Sequence, residues 1–132
     1  MRINSYIKKG VVVLEPSGKV LPGPDVESLD EKLFALLGKE KKKVIINLGK
    51  TDWIGSPAIS VLLYHHSRFR EKGGELKLAN LTQHIREIIV ITKLTLVFDV
   101  YDSLNEALES FVENLPTQKE TALKILTSDP SS

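Results

Sequence analysis

Residues 44–60, which read VIINLGKTDWIGSPAIS, decide the fold. They open with Val44-Ile45-Ile46-Asn47-Leu48, which is apolar almost without alternation, as expected of a central strand with helices covering both faces of its sheet. They close with Ser56-Pro57, where a favoured helix-capping residue precedes the residue favoured at the first helical position. The stretch therefore predicts a central strand, a connecting loop and the start of a helix.

Downstream of this stretch, helices alternate with strands. The helix that follows Ser56 is predicted from Pro57 to about Glu71, because the pair Gly73-Gly74 is typical of a helix end. The remaining predicted elements are a strand at Leu76–Leu78, a helix capped by Thr82 with Ile85, Ile88 and Ile89 on its inner face, a last strand at Val97–Tyr101 and a final helix opened by the capping box Ser103-Leu104-Asn105-Glu106.

Upstream, the chain begins with a predicted β-hairpin. Ile3, Ser5 and Ile7 alternate with polar residues, and the β-branched run Val11–Leu14 follows a Lys-Lys-Gly turn. The breaker Pro22-Gly23-Pro24 comes next. Further upstream predictions are an N-cap at Asp25, a first helix from there to about Gly38, and a solvated lysine connection at Lys39, Lys41, Lys42 and Lys43.

The predicted order β-β-α-β-α-β-α-β-α indicates the α/β class, as one domain with a mainly parallel sheet, an opening hairpin and about four helices. We assign residues 1–112 to this domain and residues 113–132 to a C-terminal extension. In the extension, Thr117-Gln118-Lys119-Glu120 predicts a cap for a short helix that ends near Leu126, before a disordered end at Ser128–Ser132.

Composition narrows the function classes. The 132 residues, 42% of them hydrophobic, suffice for one core. A formal charge of +1 gives no long-range field for nucleic acid, and the absence of cysteine fits a reducing cytoplasm. No apolar run approaches the roughly 20 residues of a membrane span. We therefore expect a cytoplasmic protein that contacts neither nucleic acid nor membrane.

The motifs that would indicate catalysis or cofactor binding are missing. Proline directly follows Ser56, so the glycine-flanked serine elbow of hydrolases is absent. His65 and His66 are adjacent and lack the spacing by which two histidines share a metal, so we expect them on the helix surface or partly buried. Gly73-Gly74 lies at a helix end, which does not match a phosphate loop. We expect no catalytic residue, metal or cofactor. An enzyme is kept only as a third functional hypothesis, behind two kinds of binding module.

A response-regulator receiver has a similar length and layout, but it needs an aspartate at the end of the central strand, where this chain has Asn47-Leu48-Gly49. The stretch from Val44 to Ser60, followed by Val61-Leu62-Leu63, instead resembles the signature of STAS domains. Three further segments share the resemblance, which covers roughly residues 3 to 112: Glu15–Val20, Lys72–Leu78 and Phe98–Ser103.

The resemblance implies a bacterial anti-sigma factor antagonist, a binding module controlled by phosphorylation of one serine. Aligned by the signature, the phosphoacceptor falls on Ser56. The implied partner is an anti-sigma factor that is itself a serine kinase of the GHKL ATPase type, so ATP and Mg²⁺ would belong to the partner. The antagonist is expected as a monomer or weak dimer, with partner-binding residues Asp52, Trp53, Ile54, Gly55, Ser56 and Pro57.

Two positions depart from the family pattern. The family commonly has aspartate immediately before the acceptor and serine or threonine and then glycine after it, whereas this chain has Gly55 and then Pro57-Ala58. Asp52 is a candidate for the missing carboxylate. The alternative interpretation is that Asp52 is only a turn or capping residue. The departures favour a second hypothesis, a constitutive scaffold that binds through an exposed loop at Trp53 and Ile54. In that case Ser56 is only a helix cap worth about 1 kcal/mol.

Overall fold

The structure is a computed structural model, and it describes residues 1–39 and 41–112. Its elements are β1 (Arg2–Lys8), β2 (Val11–Val20), α1 (Pro24–Gly38), β3 (Lys43–Asn47), β4 (Thr51–Ile54), α2 (Ser56–Glu71), β5 (Glu75–Ala79), α3 (Gln83–Ile91), a 3-10 turn (Leu94–Leu96), β6 (Val100–Tyr101) and α4 (Leu104–Val112). The predicted α/β class, opening hairpin and four helices are confirmed.

The sheet is parallel except at its first edge. Its strand order is β1-β2-β3-β5-β6, with β1 antiparallel to β2 and every later neighbour parallel. Strand β3 is central, because Ile46 pairs with Leu14 on one side and with Leu78 on the other. The apolar stretch Val44–Leu48 therefore supplies the central strand of the sheet, as predicted.

Strand β4 was not predicted, since its residues were assigned to a loop. Strand β2 has ten residues and β3 only five, so the last third of β2 extends beyond β3. The chain leaves β3 and returns beside this free part of β2, where Lys19 pairs with Trp53 and Val20 with Ile54. A register shift between Gly18 and Lys19, with Gly18 at a φ of +83°, accommodates the second partner.

Helices cover both faces of the sheet, as alternation along the strands requires. Val12 and Leu14 of β2 belong to the larger core, which α1, α2 and α3 complete with Leu33, Leu62 and Ile85. Val11 and Val13 point to the other face and form a smaller core with Ala107 and Leu108 of α4. Each fully buried aliphatic side chain contributes about 1.5–3 kcal/mol to folding.

The structure confirms one of three predicted helix caps in part and differs from the other two. The capping box of α4 is confirmed in its serine half, since the Glu106 N–H donates to Ser103 Oγ at 3.1 Å. The prediction of Asp25 as N-cap is wrong: Gly23 occupies that position, and the Asp25 carboxylate accepts the Leu21 N–H at 3.0 Å. Thr82 precedes α3 as predicted, but its hydroxyl donates to the Thr51 carbonyl at 3.3 Å.

The last strand is shorter than predicted. Only Val100–Tyr101 pairs with β5, because a 3-10 turn at Leu94–Leu96 holds Val97 and Phe98 outside the ladder. Phe98 is nevertheless buried in the larger core, while Val97 is exposed. The predicted extension at residues 113–132 and its short helix lie outside the described residues and stay predictions. Within residues 1–39 and 41–112, no helix combines the length and the apolar character needed to cross a membrane.

Candidate functional site

Ser56 lies where the parallel strands end. Helix α2 begins directly after β4, and Ser56 is its first residue, exposed to solvent together with Pro57. The residue in the N-cap position is Gly55, with extended backbone at φ −101° and ψ 173°, and its carbonyl accepts the N–H groups of Ala58 and Ile59 at 3.1 Å. The parallel strands therefore present Ser56 at their carboxyl edge, where ligand and partner sites of α/β sheets concentrate.

The prediction that Ser56 is the N-cap is wrong. Its hydroxyl makes no capping hydrogen bond, because the extended conformation that defines a cap falls one residue earlier, on Gly55. Among the described residues, the Ser56 hydroxyl has no hydrogen-bond partner at all. It is thus an exposed alcohol at a helix start, with no hydrogen bond to a described residue to lose on modification.

The Trp53 indole explains why glycine precedes Ser56. A Cβ atom added to Gly55 would lie 2.8 Å from Trp53 Cη2 and 3.1 Å from Cζ3, so the ring rests against the glycine. The backbone of Gly55 is not left-handed, so the requirement is for space and not for conformation. Trp53 itself is half-buried. Aspartate, which the family commonly has at this position, would displace this ring.

The expectation that Trp53 and Ile54 form an exposed loop is wrong. Both belong to β4, and Ile54 is 3% exposed because its pairing with Val20 points its side chain into the larger core. Gly55 is buried as well. Of the six predicted partner-binding residues, Asp52, Ser56 and Pro57 are exposed and Trp53 partly so.

The end of β2 adds an apolar residue that sequence reasoning missed. Leu21 follows Val20, the partner of Ile54, and is 47% exposed. Its signal was its place immediately before the proline-glycine breaker, at the carboxyl end of an apolar strand. We name the exposed residues at this edge the Ser56 surface: Leu21, Asp52, Trp53, Ser56 and Pro57.

Both adjacent histidines are buried, against the expectation of surface or partly buried positions. His65 is 0% exposed, and its Nε2 lies 2.6 Å from Asp30 Oδ1 of α1. His66 packs its ring edge-on to Phe98 at 5.2 Å. Burial lowers the pKa of His66, and the Arg70 guanidinium acts in the same direction. The two rings thus tie α2 to its neighbours.

A second polar cluster lies on the face of the sheet that α4 covers. The Glu15 carboxylate accepts hydrogen bonds from Asn47 Nδ2 at 2.8 Å, the Tyr6 hydroxyl at 3.1 Å and Asn4 Nδ2 at 3.3 Å. Burial and this carboxylate raise the pKa of Tyr6. Since the four side chains come from β1, β2 and β3, the cluster fixes the order and register of the three strands.

Comparison with known proteins identifies the class. The family model of the STAS domain matches residues 2–107. The chain therefore belongs to the STAS domain family, and the resemblance inferred from the sequence is confirmed.

A named relative is similar to this chain over most of its own length. The Bordetella bronchiseptica protein BtrV, whose name describes it as an anti-sigma factor antagonist, is 32% identical over 97 residues, which are 74% of this chain and 84% of BtrV.

Two solved structures share the fold. A Thermotoga maritima protein, also described as an anti-sigma factor antagonist, superimposes with a TM-score of 0.77 at 21% identity, over 82% of this chain and 92% of that one. The Bacillus cell fate determinant SpoIIAA in its phosphorylated form gives a TM-score of 0.66 at 15% identity, over 82% of this chain and 97% of that one. At these identities the likeness establishes the fold.

Proposed function

We propose that this chain is an anti-sigma factor antagonist that binds its anti-sigma factor through the Ser56 surface and releases it when Ser56 is phosphorylated. The observation that carries the proposal is the exposed Ser56 hydroxyl, which has no hydrogen-bond partner in the described part of the chain and stands at the first position of α2. The relative named as an antagonist and the phosphorylated form known for SpoIIAA support it.

A phosphate at Ser56 is compatible with the fold. The N-terminus of a helix carries partial positive charge and backbone N–H groups that favour an anion. No hydrogen bond of the Ser56 hydroxyl to a described residue has to break, because none is present. Phosphorylation therefore adds about −1.5 to −2 charges to the surface while the domain stays folded.

The added charge acts on binding. Leu21 and Trp53 give the Ser56 surface apolar area, so a partner that covers it would bury Ser56 as well. A desolvated charge without a partner costs about 2–5 kcal/mol. This cost lowers the affinity for the partner by roughly thirtyfold to several thousandfold. This difference is enough to separate a bound from a free state at fixed concentrations.

The partner in this scheme is an anti-sigma factor with serine kinase activity of the GHKL ATPase type. The antagonist acts as substrate and ligand, and the kinase supplies ATP and Mg²⁺. Asp52, exposed on β4, is the carboxylate nearest in sequence before Ser56, and we propose that it takes part in recognition by the kinase.

A constitutive scaffold is the second candidate, and one contact favours it. The Trp53 ring occupies the space where the family commonly has a carboxylate before the acceptor, so the Ser56 surface is more apolar than the family pattern implies. A scaffold of this kind would bind through Leu21 and Trp53 whatever the state of Ser56.

Mass spectrometry of the protein purified from its native cells, with and without phosphatase treatment, tests the proposal. We expect a single phosphorylated peptide containing Ser56, absent from the Ser56→Ala variant. The exposed Ser60 and Ser67 of α2 are the internal controls, since both lie within the helix, where backbone geometry hides them from a kinase cleft. Phosphate on Ser60 in place of Ser56 would contradict the assignment. If no phosphate is found on the protein, the constitutive scaffold remains as the function.

A further inference from the structure

A half-open cleft lies at the end of α2 opposite Ser56. It has a volume of about 410 Å³ and is lined by Leu37, Gly38, Lys41, Lys42, Phe69 and Lys72. Its volume falls within the roughly 300–1,000 Å³ of small-molecule sites. Helix α2 has 16 residues, so at about 1.5 Å per residue the cleft is roughly 24 Å from Ser56. We call it the lysine cleft.

The three lysines of the cleft have no ion-pair partner among the described residues. The acidic side chains nearest in sequence to Lys72 are engaged elsewhere: Glu71 pairs with Arg68 at 3.2 Å, and Glu75 with Lys77 at 3.4 Å. Lys41, Lys42 and Lys72 therefore bring three positive charges to the cleft, and none of the described residues that line it is acidic.

Lysines near helix ends commonly serve to cap the last carbonyl groups, but here backbone N–H groups already do so. At the end of α1 the Leu36 carbonyl accepts the Lys41 N–H at 3.0 Å. At the end of α2 the Phe69 carbonyl accepts the Gly74 N–H at 2.8 Å, and the Arg70 carbonyl accepts the Gly73 N–H at 3.0 Å. Among the described residues, the three ammonium groups are therefore neither paired with a carboxylate nor required by the last carbonyl groups of the helices.

The floor of the cleft is apolar. Phe69 is 1% exposed and belongs to the larger core, and Leu37 is half-buried against the same core. A cationic rim above an apolar floor matches a ligand with both properties. We propose that the lysine cleft binds a small organic anion, a phosphate or carboxylate attached to an apolar group.

An NMR titration of the unphosphorylated full-length protein with phenyl phosphate tests this proposal. We expect saturable amide shifts confined to residues 37–39, 41–43 and 69–75. Inorganic phosphate, which lacks the apolar group, and phenol, which lacks the charge, should each bind about tenfold or more weakly, since a contact worth ~1.4 kcal/mol corresponds to a tenfold change. Benzoate distinguishes the two anion types, because the tighter-binding probe shows whether the cleft prefers a phosphate or a carboxylate.

A charge-matched pair of variants supplies the control. The triple variant Lys41→Gln, Lys42→Gln, Lys72→Gln keeps side-chain length and should weaken phenyl phosphate by about tenfold or more. The triple variant Lys8→Gln, Lys19→Gln, Lys50→Gln removes the same charge from exposed lysines elsewhere and should change the affinity by about twofold or less, as expected of screened charges at a distance.

Equal weakening in both triple variants, or shifts that spread over all exposed lysines, would overturn the proposal and leave the lysines as solvated side chains. The outcome is independent of the role of Ser56. Ser56→Asp should bind phenyl phosphate as the wild type does, and the cleft triple variant should bind the anti-sigma partner normally. A failure of the cleft can therefore be distinguished from a failure of the phosphoswitch.

Discussion

The Trp53 indole rests on Gly55, so closely that a Cβ atom at Gly55 would lie 2.8 Å from Cη2. This contact couples a partly exposed aromatic ring to the residue that precedes the proposed phosphoacceptor. It explains a departure from the family pattern by sterics alone.

The first prediction concerns this pair. Gly55→Ala should lower the free energy of unfolding by about 1–3 kcal/mol, because the new methyl group overlaps the ring. In a Trp53→Ala background the same substitution should cost little, since the space is then free. Urea unfolding of the wild type, both single variants and the double variant gives the coupling energy. Additive effects of the two substitutions would show that the cost of Gly55→Ala does not arise from the ring.

A second prediction tests the buried pair of His65 and Asp30. Asp30→Ala should destabilise the protein by about 1–3 kcal/mol, because it leaves a fully buried Nε2 without a partner. Nδ1 already has none among the described residues, so the ring has no alternative bond. Asp30→Asn keeps an acceptor oxygen and should cost less.

The matched control for this pair is Glu31→Ala, on the next residue of α1, which is exposed and has no hydrogen bond to a described residue. It should change stability by about 0.5 kcal/mol or less. Urea unfolding midpoints of the wild type, Asp30→Ala, Asp30→Asn and Glu31→Ala measure these differences in stability. A loss in Asp30→Ala no larger than in the control would show that solvent replaces the carboxylate.

Much of this architecture could be predicted from the sequence, because its local signals agree with the global fold. The apolar stretch at Val44–Leu48 is central, and Ser103 opens α4 as the capping box indicated. Strand β4 could not be predicted, because Thr51–Ile54 shows no period-two pattern. It pairs with β2 because β2 is longer than β3, and the sequence pattern does not show that difference in length.

The place of Ser56 in the fold could be predicted from the sequence, but its local geometry could not. Ser56 lies at the start of α2 as predicted, yet the residue with extended cap geometry is Gly55, so the helix begins one residue earlier than the Ser-Pro pair indicated. His65 was expected on the helix surface or partly buried, because the sequence of one helix does not show that Asp30 of another helix will form a hydrogen bond with it. The lysine cleft joins the ends of α1 and α2 with the connection that precedes β3, and only the fold brings α2 next to the other two.

A third prediction follows from His66. Its pKa is lowered by burial in the folded protein, so the unfolded state binds more protons as the pH falls through about 6.5. Stability from this group therefore falls as the pH drops below about 6.5 and is unaffected above it. Unfolding free energies of the wild type measured from pH 5 to 8 should show this slope, and His66→Gln should reduce it.

The control for the pH experiment is His84→Gln, because His84 is exposed at the start of α3. It should leave the slope near that of the wild type. Should both variants flatten the curve equally, burial of His66 would not be the cause of the acid sensitivity.

The last prediction separates stability from recognition at Ser56. Because the Ser56 hydroxyl caps no backbone N–H group, Ser56→Ala should change the free energy of unfolding by only about 0.5 kcal/mol or less. Ser56→Asp places a negative charge in the first turn of α2 and should stabilise the protein by about 0.3–1 kcal/mol. Affinity for the anti-sigma factor should follow the opposite order, with Ala close to wild type and Asp at least about tenfold weaker, since the charge is desolvated on docking. Calorimetric titration against the partner and urea unfolding measure the two properties independently. Ser56→Asn, which matches Asp in size without its charge, controls for shape and should bind close to wild type. An Asp variant that binds the partner as tightly as the wild type would exclude charge at Ser56 as the switch and leave Leu21 and Trp53 as a constitutive docking surface.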